Sequence, residues 1–390
     1  MNYILYDGST RINLLPLTYT KPVADLRIGI LTIREKWEKW LNTITTTITE
    51  DYLEDKFPMV EMEENIMINA SFLPTESLVD TIKNLQQNQA IIQGSEIIAF
   101  FSKDTQNEID FETYEKIIFT QKVIQLKHNW DIFTNNGEAL EDDFKLITKG
   151  RKSAPIQNTV HCINKDRIFL EEGVTIEIGV LNASKGPIYI GKHAQVMEGS
   201  MIRGPFAMGE HSVVKMGTKI YGSTTLGPKC KIGGEVNNAI LSGYCSKGHE
   251  GYLGNAVIGE WCNIGADTNN SNLKNNYAEV KMWEYDKERF VKTGLQFCGL
   301  IMGDHSKCGI NTMFNTGTII GISANIYGSN FPRNFIPSFS WGGAAGFKTY
   351  NIDKAIETAE LVIKRKNEDF TEKDQAILDY VFEITKKYRN

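Results

Sequence analysis

No stretch of eighteen apolar residues occurs anywhere in the 390-residue sequence, so it offers no helix long enough to span a membrane. The start, Met1 to Asp7, lacks the basic-then-apolar build of a secretory signal. No basic stripe or lysine run is present either. Lys and Arg number 42 against 48 Asp and Glu, and the net charge of −6 argues against nucleic acid and anionic membranes as partners. Together these absences lead us to expect a cytoplasmic protein. Cysteine is scarce and unpaired in pattern: Cys162, Cys230, Cys245, Cys262, Cys298 and Cys308 include no Cys-x-x-Cys spacing, so neither disulfides nor a zinc site is expected.

What the sequence does contain is a register. Reading in steps of six gives Ile178, Ser184, Ile190, Val196, Ile202, Met208, Val214, Ile220, Leu226 and Ile232, with Ser184 the one polar member. At 41% hydrophobic composition, nine apolar residues in ten such positions would arise by chance about twice in a thousand trials, so the pattern is a repeat. Glycine often follows, at Gly179, Gly191, Gly209, Gly227 and Gly233, where a chain turning a corner benefits from its permissive backbone. The register resumes through Ile258 and Ile264 and again through Met302, Cys308, Phe314, Ile320 and Ile326. Cys308 on an inward position reads as a small buried hydrophobe. A β-sandwich would instead show period-two alternation with irregular turns. Coils of this kind bury their cores only by stacking, so about 160 to 330 is expected to fold as one solenoid.

These hexads resemble the left-handed β-helix acyltransferases. The resemblance implies left-handed coils, a homotrimer, and an acyl-CoA bound between adjacent helices. Before the solenoid, residues 1–155 alternate strand-like runs (Tyr3 to Tyr6, Ile66 to Asn69) with helical ones (Ile30 to Leu41, Ser77 to Leu85), which suggests an α/β domain. The expected division is 1–155, then a solenoid over 156–345, then a helical tail over 346–390. In the tail, Ala355, Thr358, Ala359, Val362 and Ile363 share one helical face, and Thr371 with Asp374 approximates a capping box. Between the two hexad runs, alternation in Val280 to Tyr285 and Arg289 to Lys292 around Asp286 and Lys287 suggests a projecting β-hairpin.

Where the register slips, the run His249-Glu-Gly-Tyr252-Leu-Gly254-Asn-Ala-Val-Ile258-Gly, followed by Asn263-Ile-Gly-Ala266-Asp-Thr268 and Asn272, is similar to the acetyltransferase half of bacterial bifunctional N-acetylglucosamine-1-phosphate uridyltransferase/glucosamine-1-phosphate acetyltransferases. The resemblance implies that His249 is the general base, that Tyr252 and Asn272 contact the amino-sugar phosphate and the amine or its intermediate, that Glu235 is an acidic substrate contact, and that the backbone of Ala266 holds acetyl-CoA. The chemistry suits these residue types. Freeing an ammonium nucleophile near neutral pH needs a base of imidazole's strength, and backbone amides at coil corners are placed to stabilise an oxyanion. Two positions depart from the family. Asn237 stands where a lysine meets the sugar phosphate, and Leu273 replaces a tyrosine. Lys215, which aligns with a family arginine across a shifted coil, is the substitute cation we expect.

The opening Leu5-Tyr-Asp7-Gly8-Ser9-Thr10-Arg11, with Leu15-Pro16-Leu17-Thr18 and Lys21-Pro22 behind it, looks like the start of sugar-1-phosphate nucleotidyltransferases. This implies a nucleotide-phosphate loop at Gly8, Arg11 on the leaving pyrophosphate and Lys21 steering the sugar phosphate, with UTP and Mg2+ as reactants if the activity is retained. Here too the match is incomplete. Ser9 replaces a glycine, Lys21-Pro22 reverses the usual order, and no Gly-Asp pair precedes residue 155 to hold the metal, Asn69 being the nearest equivalent. The metal ligands are therefore unassigned and the first activity is either altered or lost. The whole reads as an acetyltransferase acting on glucosamine-1-phosphate, with uridylyl transfer to N-acetylglucosamine-1-phosphate as a second activity where the first domain retains it. The alternatives are a nucleotidyltransferase or acyltransferase with another amino sugar, and a non-catalytic trimeric scaffold that binds sugar nucleotides.

Overall fold

A computed structural model describes residues 1–103 and 111–389. The first third is built on a six-stranded mixed sheet in the order Thr46–Ile48, Asn2–Tyr6, Asn65–Asn69, Glu96–Ser102, Gln89–Gln93, Glu115–Ile118. Asn2–Tyr6 pairs in parallel with both neighbours, whereas Glu96–Ser102 runs antiparallel to Asn65–Asn69. The helix expected from Ile30 begins at Ile33 instead, because Thr32 and Glu35 form a capping box that fixes its first turn. A helix from Trp130 to Thr148 then runs along the solenoid, to which Asn136 bonds at Ser223 O (2.8 Å).

The solenoid is a stack of parallel coils whose short strands form one thirteen-stranded and one ten-stranded sheet. Val196, Val214, Ile232, Lys247 and Ile264 follow one another up the stack at the same inward position. Ile190 through Ile232 are buried at every sixth residue, and each such aliphatic side chain contributes about 1.5–3 kcal/mol. The register does not extend back to Ile178: that side chain is 56% exposed at a corner and Ser184 is exposed, while Ile176 and Leu181 fill this coil's core. The chain between 176 and 190 is a turn of different length, so the six-residue step continues in sequence but not in space.

Every cysteine is a free thiol. The hairpin is present, Lys281–Glu284 pairing antiparallel with Arg289–Lys292. The tail forms two helices, Ile352–Arg365 and Glu372–Ile384, the second opened by the Thr371/Asp374 capping box. Their apolar faces, including Ala359, Ile377 and Val381, join one core with the first sheet and the solenoid residues Val280 and Phe339. The α/β domain, β-helical solenoid and helical tail expected from sequence are thus all present. Among the described residues no helix is long and apolar enough to cross a membrane.

Candidate functional site

His249 lies in the turn that follows the strand Ser246–Lys247, and its side chain is exposed. The pairings Ile232 with Lys247 and Ile264 with Cys308, carried two residues further, and Ser246 with Asn263, carried three, bring Gly234, His249, Ala266 and Ile310 to one corner of four successive coils, where Asp267 N donates to Glu250 O (3.0 Å). The expected base and the backbone position expected to hold the acyl donor therefore lie on neighbouring coils. Two features fix this corner. Gly251 has φ +113°, and a Cβ there would lie 2.2 Å from Thr268 O, so the coils close up only around glycine. Lys247 points inward, where the hexads otherwise place aliphatics. Its ammonium donates to Gly233 O (2.9 Å), His249 O (2.9 Å) and Glu250 O (3.4 Å), tying the turn to the coil beneath it. Burial draws its pKa down to about 8.

One face of the adjoining sheet carries the polar residues. Lys219, Glu235 and Tyr252 occupy one register position on successive coils. Asn272 Nδ2 donates to Tyr252 Oη (3.0 Å) and to Asn255 Oδ1 (2.7 Å). Both amide hydrogens are used, so what Asn272 has left to offer a ligand is its Oδ1 acceptor. Glu235 accepts from Tyr221 Oη at 2.6 Å, a bond that holds the phenol protonated far into alkali. Tyr252 folds back over Gly254, where a Cβ would meet its hydroxyl at 2.3 Å. His249, Ala266, Tyr252, Asn272 and Glu235 thus lie on contiguous coils. Lys215 is half-buried two coils away from His249, in the stack that runs from Val214 to Ile232 to Lys247. Sequence reasoning missed Tyr221, Lys247 and Asn255. Lys247 alone had a visible signal, a lysine fifteen residues beyond Ile232 in a region where the register had already slipped.

The residues singled out in the first domain are placed differently. Gly8 lies against Asn69 at the end of its strand, so close that a Cβ would meet Asn69 Nδ2 at 2.7 Å. Together with Asp7, Arg11, Glu50, Tyr52 and Tyr380 it lines a cavity of 410 Å³. The Arg11 guanidinium already contacts Asp7 (3.0 Å), Glu50 (3.3 Å), Tyr52 Oη (2.9 Å) and Thr18 O (2.7 Å). Lys21 is not brought to this cavity at all. It is buried at the junction with the solenoid, between Glu260 (2.7 Å) and Asp304 (2.9 Å). Nor do the residues here fit a magnesium ion. Asp7 is committed to Val23 N, Thr49 and Arg11, burial raises its pKa, and the metal position is the neutral Asn69. Among the described residues no group of three or more histidines, cysteines, aspartates or glutamates is placed to hold a metal ion.

Residues 3–152 match the model of a family described as sugar nucleotidyl transferase. No curated protein matches the chain. Among solved structures it is similar to an Arabidopsis UDP-N-acetylglucosamine acyltransferase, at 14% identity over 55% of this chain and 80% of that one, with a TM-score of 0.30. The polySia-specific acetyltransferase NeuO is similar at 12% identity over 54% of this chain and 100% of its own, TM-score 0.27. A second UDP-N-acetylglucosamine acyltransferase gives 12% identity, 60% and 95% coverage, and a TM-score of 0.22. Likeness at this level does not bear on what this chain binds or transfers.

Proposed function

We propose that this chain is a transferase of amino-sugar nucleotide synthesis that moves an acetyl group from acetyl-CoA to the amine of glucosamine-1-phosphate, with His249 as general base. The observation that carries the reading is the corner itself: an exposed imidazole, on a turn tethered by Lys247, one coil from Ala266 and three residues before Tyr252, which Asn272 links to Asn255 by hydrogen bonds. In this reading His249 takes a proton from the sugar ammonium. The freed nitrogen attacks the thioester carbonyl, and the thiolate leaves. Asn272 Oδ1 and Glu235 supply the acceptors that position an amine and hydroxyls, while corner amides face the developing oxyanion.

The proposal includes a cytoplasmic homotrimer and the division into 1–155, 156–345 and 346–390. Ile178, Met216 and Ile310, which are 56%, 64% and 69% exposed, lie on the same corner column as His249 and Ala266, and such an apolar edge favours a subunit contact there. Uridylyl transfer in the first domain is the second reading, supported by the family match over 3–152. Against it, the two cations expected on the phosphates, Arg11 and Lys21, are both engaged by carboxylates.

The decisive test is thiol release from acetyl-CoA with glucosamine-1-phosphate as acceptor. Wild type should release thiol, and His249→Ala should lose at least about a hundredfold in rate. No release from wild type removes this substrate assignment.

A further inference from the structure

The hairpin that projects from the solenoid forms one side of a groove of 640 Å³ lined by Lys274, Lys281, Phe290, Thr316, Arg333 and Phe335. Its charge is one-sided. Among the described residues none of the three cations has a carboxylate partner within salt-bridge distance, and the Lys274 ammonium donates only to the backbone, at Glu279 O (2.8 Å). Lys281 stands directly across the hairpin ladder from Lys292. Like charges at opposed positions destabilise a hairpin. Lys292 is balanced by Glu279 at 3.6 Å, while Lys281 is not balanced. The hairpin face that carries Lys281 is also aromatic: Trp283 stacks on Phe335 across the groove (4.3 Å between centroids, 9°) and meets Phe290 edge-on (5.5 Å). Asn334 Nδ2 donates to Thr316 O (2.7 Å) and closes the floor.

The groove also adjoins the proposed acetyl-transfer site. Lys274 is two residues beyond Asn272, whose carbonyl accepts from Cys298 N, while Cys298 O accepts from Gly317 N. Gly317 in turn packs against the backbone of Lys281, where a Cβ would meet Lys281 O at 2.2 Å. Two links of main chain therefore join the amide that bonds Tyr252 to the base of the cationic wall.

We infer that this groove binds the phosphate of the acceptor, with Lys281 and Arg333 as its principal ligands and Lys274 at its inner end. It adds cations beside a site in which Asn237 stands where a lysine is expected and Lys219 is turned toward Glu250 (3.9 Å). The inference rests on the acetyl-transfer reading for its biological ligand, while phosphate binding by the groove is independent of it. The same chemistry is offered by a sugar phosphate and by a nucleoside phosphate, whose base would lie on Phe290.

The test uses the full chain and two probes, inorganic phosphate and UMP, titrated calorimetrically against wild type and against the Lys281→Gln/Arg333→Gln double variant. Two charge-assisted contacts are removed, so binding should weaken by at least about tenfold, and wild-type affinity should fall with added salt. Equal binding by wild type and double variant, or none by wild type, overturns the groove. A preference for UMP over phosphate that Phe290→Ala abolishes identifies a nucleoside-bearing acceptor; equal binding of both identifies the simple sugar phosphate. In thiol-release kinetics the double variant should raise KM for glucosamine-1-phosphate about tenfold or more with kcat little changed, and leave kcat/KM for unphosphorylated glucosamine alone. Lysine-dependent phosphate binding without any acetyl transfer would cost the His249 reading and keep the groove. Acetyl transfer indifferent to the double variant would do the reverse.

Discussion

Lys21→Met separates a structural lysine from a nucleotide-binding one. In the folded chain the Lys21 ammonium is almost wholly buried, 2.7 Å from Glu260 and 2.9 Å from Asp304. Asp304 is itself buried and accepts from Thr20 Oγ1 (2.5 Å) and Glu260 N (2.7 Å) as well. At an effective dielectric near 20, a pair at this separation gains roughly 6 kcal/mol, much of it offset by desolvating the charges. Removing the lysine deletes the attraction but leaves Asp304 desolvated, and breaking a buried pair this way costs about 3–5 kcal/mol. The lower end applies, because Glu260 can turn to water and Asp304 keeps two hydrogen bonds. The lysine now holds the Asp304 pKa below the ordinary carboxylate range against the upward pull of burial. Thermal unfolding followed by far-UV circular dichroism should therefore shift down by about 6 °C or more, at roughly 2 °C per kcal/mol. Adding Asp304→Asn and Glu260→Gln should recover a large part of the loss. If Lys21→Met unfolds within about 2 °C of wild type and instead abolishes UTP binding, the junction argument is wrong and the lysine is a nucleotide ligand.

Other consequences follow from individual contacts. Burial, reinforced by the Lys307 charge, draws the His305 pKa down to about 3, so the unfolded chain takes up a proton below pH 6.5 that the folded chain refuses. Stability should fall as pH drops through 6.5 toward 3, by about 1.4 kcal/mol per unit at the steepest, and His305→Asn should flatten that part of a pH-dependent urea unfolding series. Gly251→Ala places a Cβ 2.2 Å from Thr268 O at φ +113°, so it should cost about 3 kcal/mol in chemical denaturation and depress thiol release by displacing His249. Asn272→Ala removes the link between Tyr252 and Asn255. Thiol release should drop about tenfold or more while the circular dichroism spectrum stays unchanged.

The sequence by itself determined the solenoid, because a six-residue step of buried aliphatics is a local property: each coil repeats the same inward side chain over the coil below. It also showed the tail helix start, since the Thr371/Asp374 box is satisfied within four residues. The grouping of His249, Ala266, Tyr252 and Asn272 was readable as a motif because they fall on adjoining coils of one repeat. Only the tertiary structure decided where the first domain's charged residues go. Arg11 and Lys21 sit in a sequence pattern that suits phosphates, yet Lys21 meets Glu260 and Asp304 from more than two hundred residues away, and Arg11 meets Glu50 and Tyr52. No periodicity encodes such pairings. They arise because a buried cation must find carboxylates, and which carboxylates lie within reach is set by how the domain, solenoid and tail pack together. The same holds for Ile178, which continued the six-residue step in sequence but was turned out to solvent by a loop of different length.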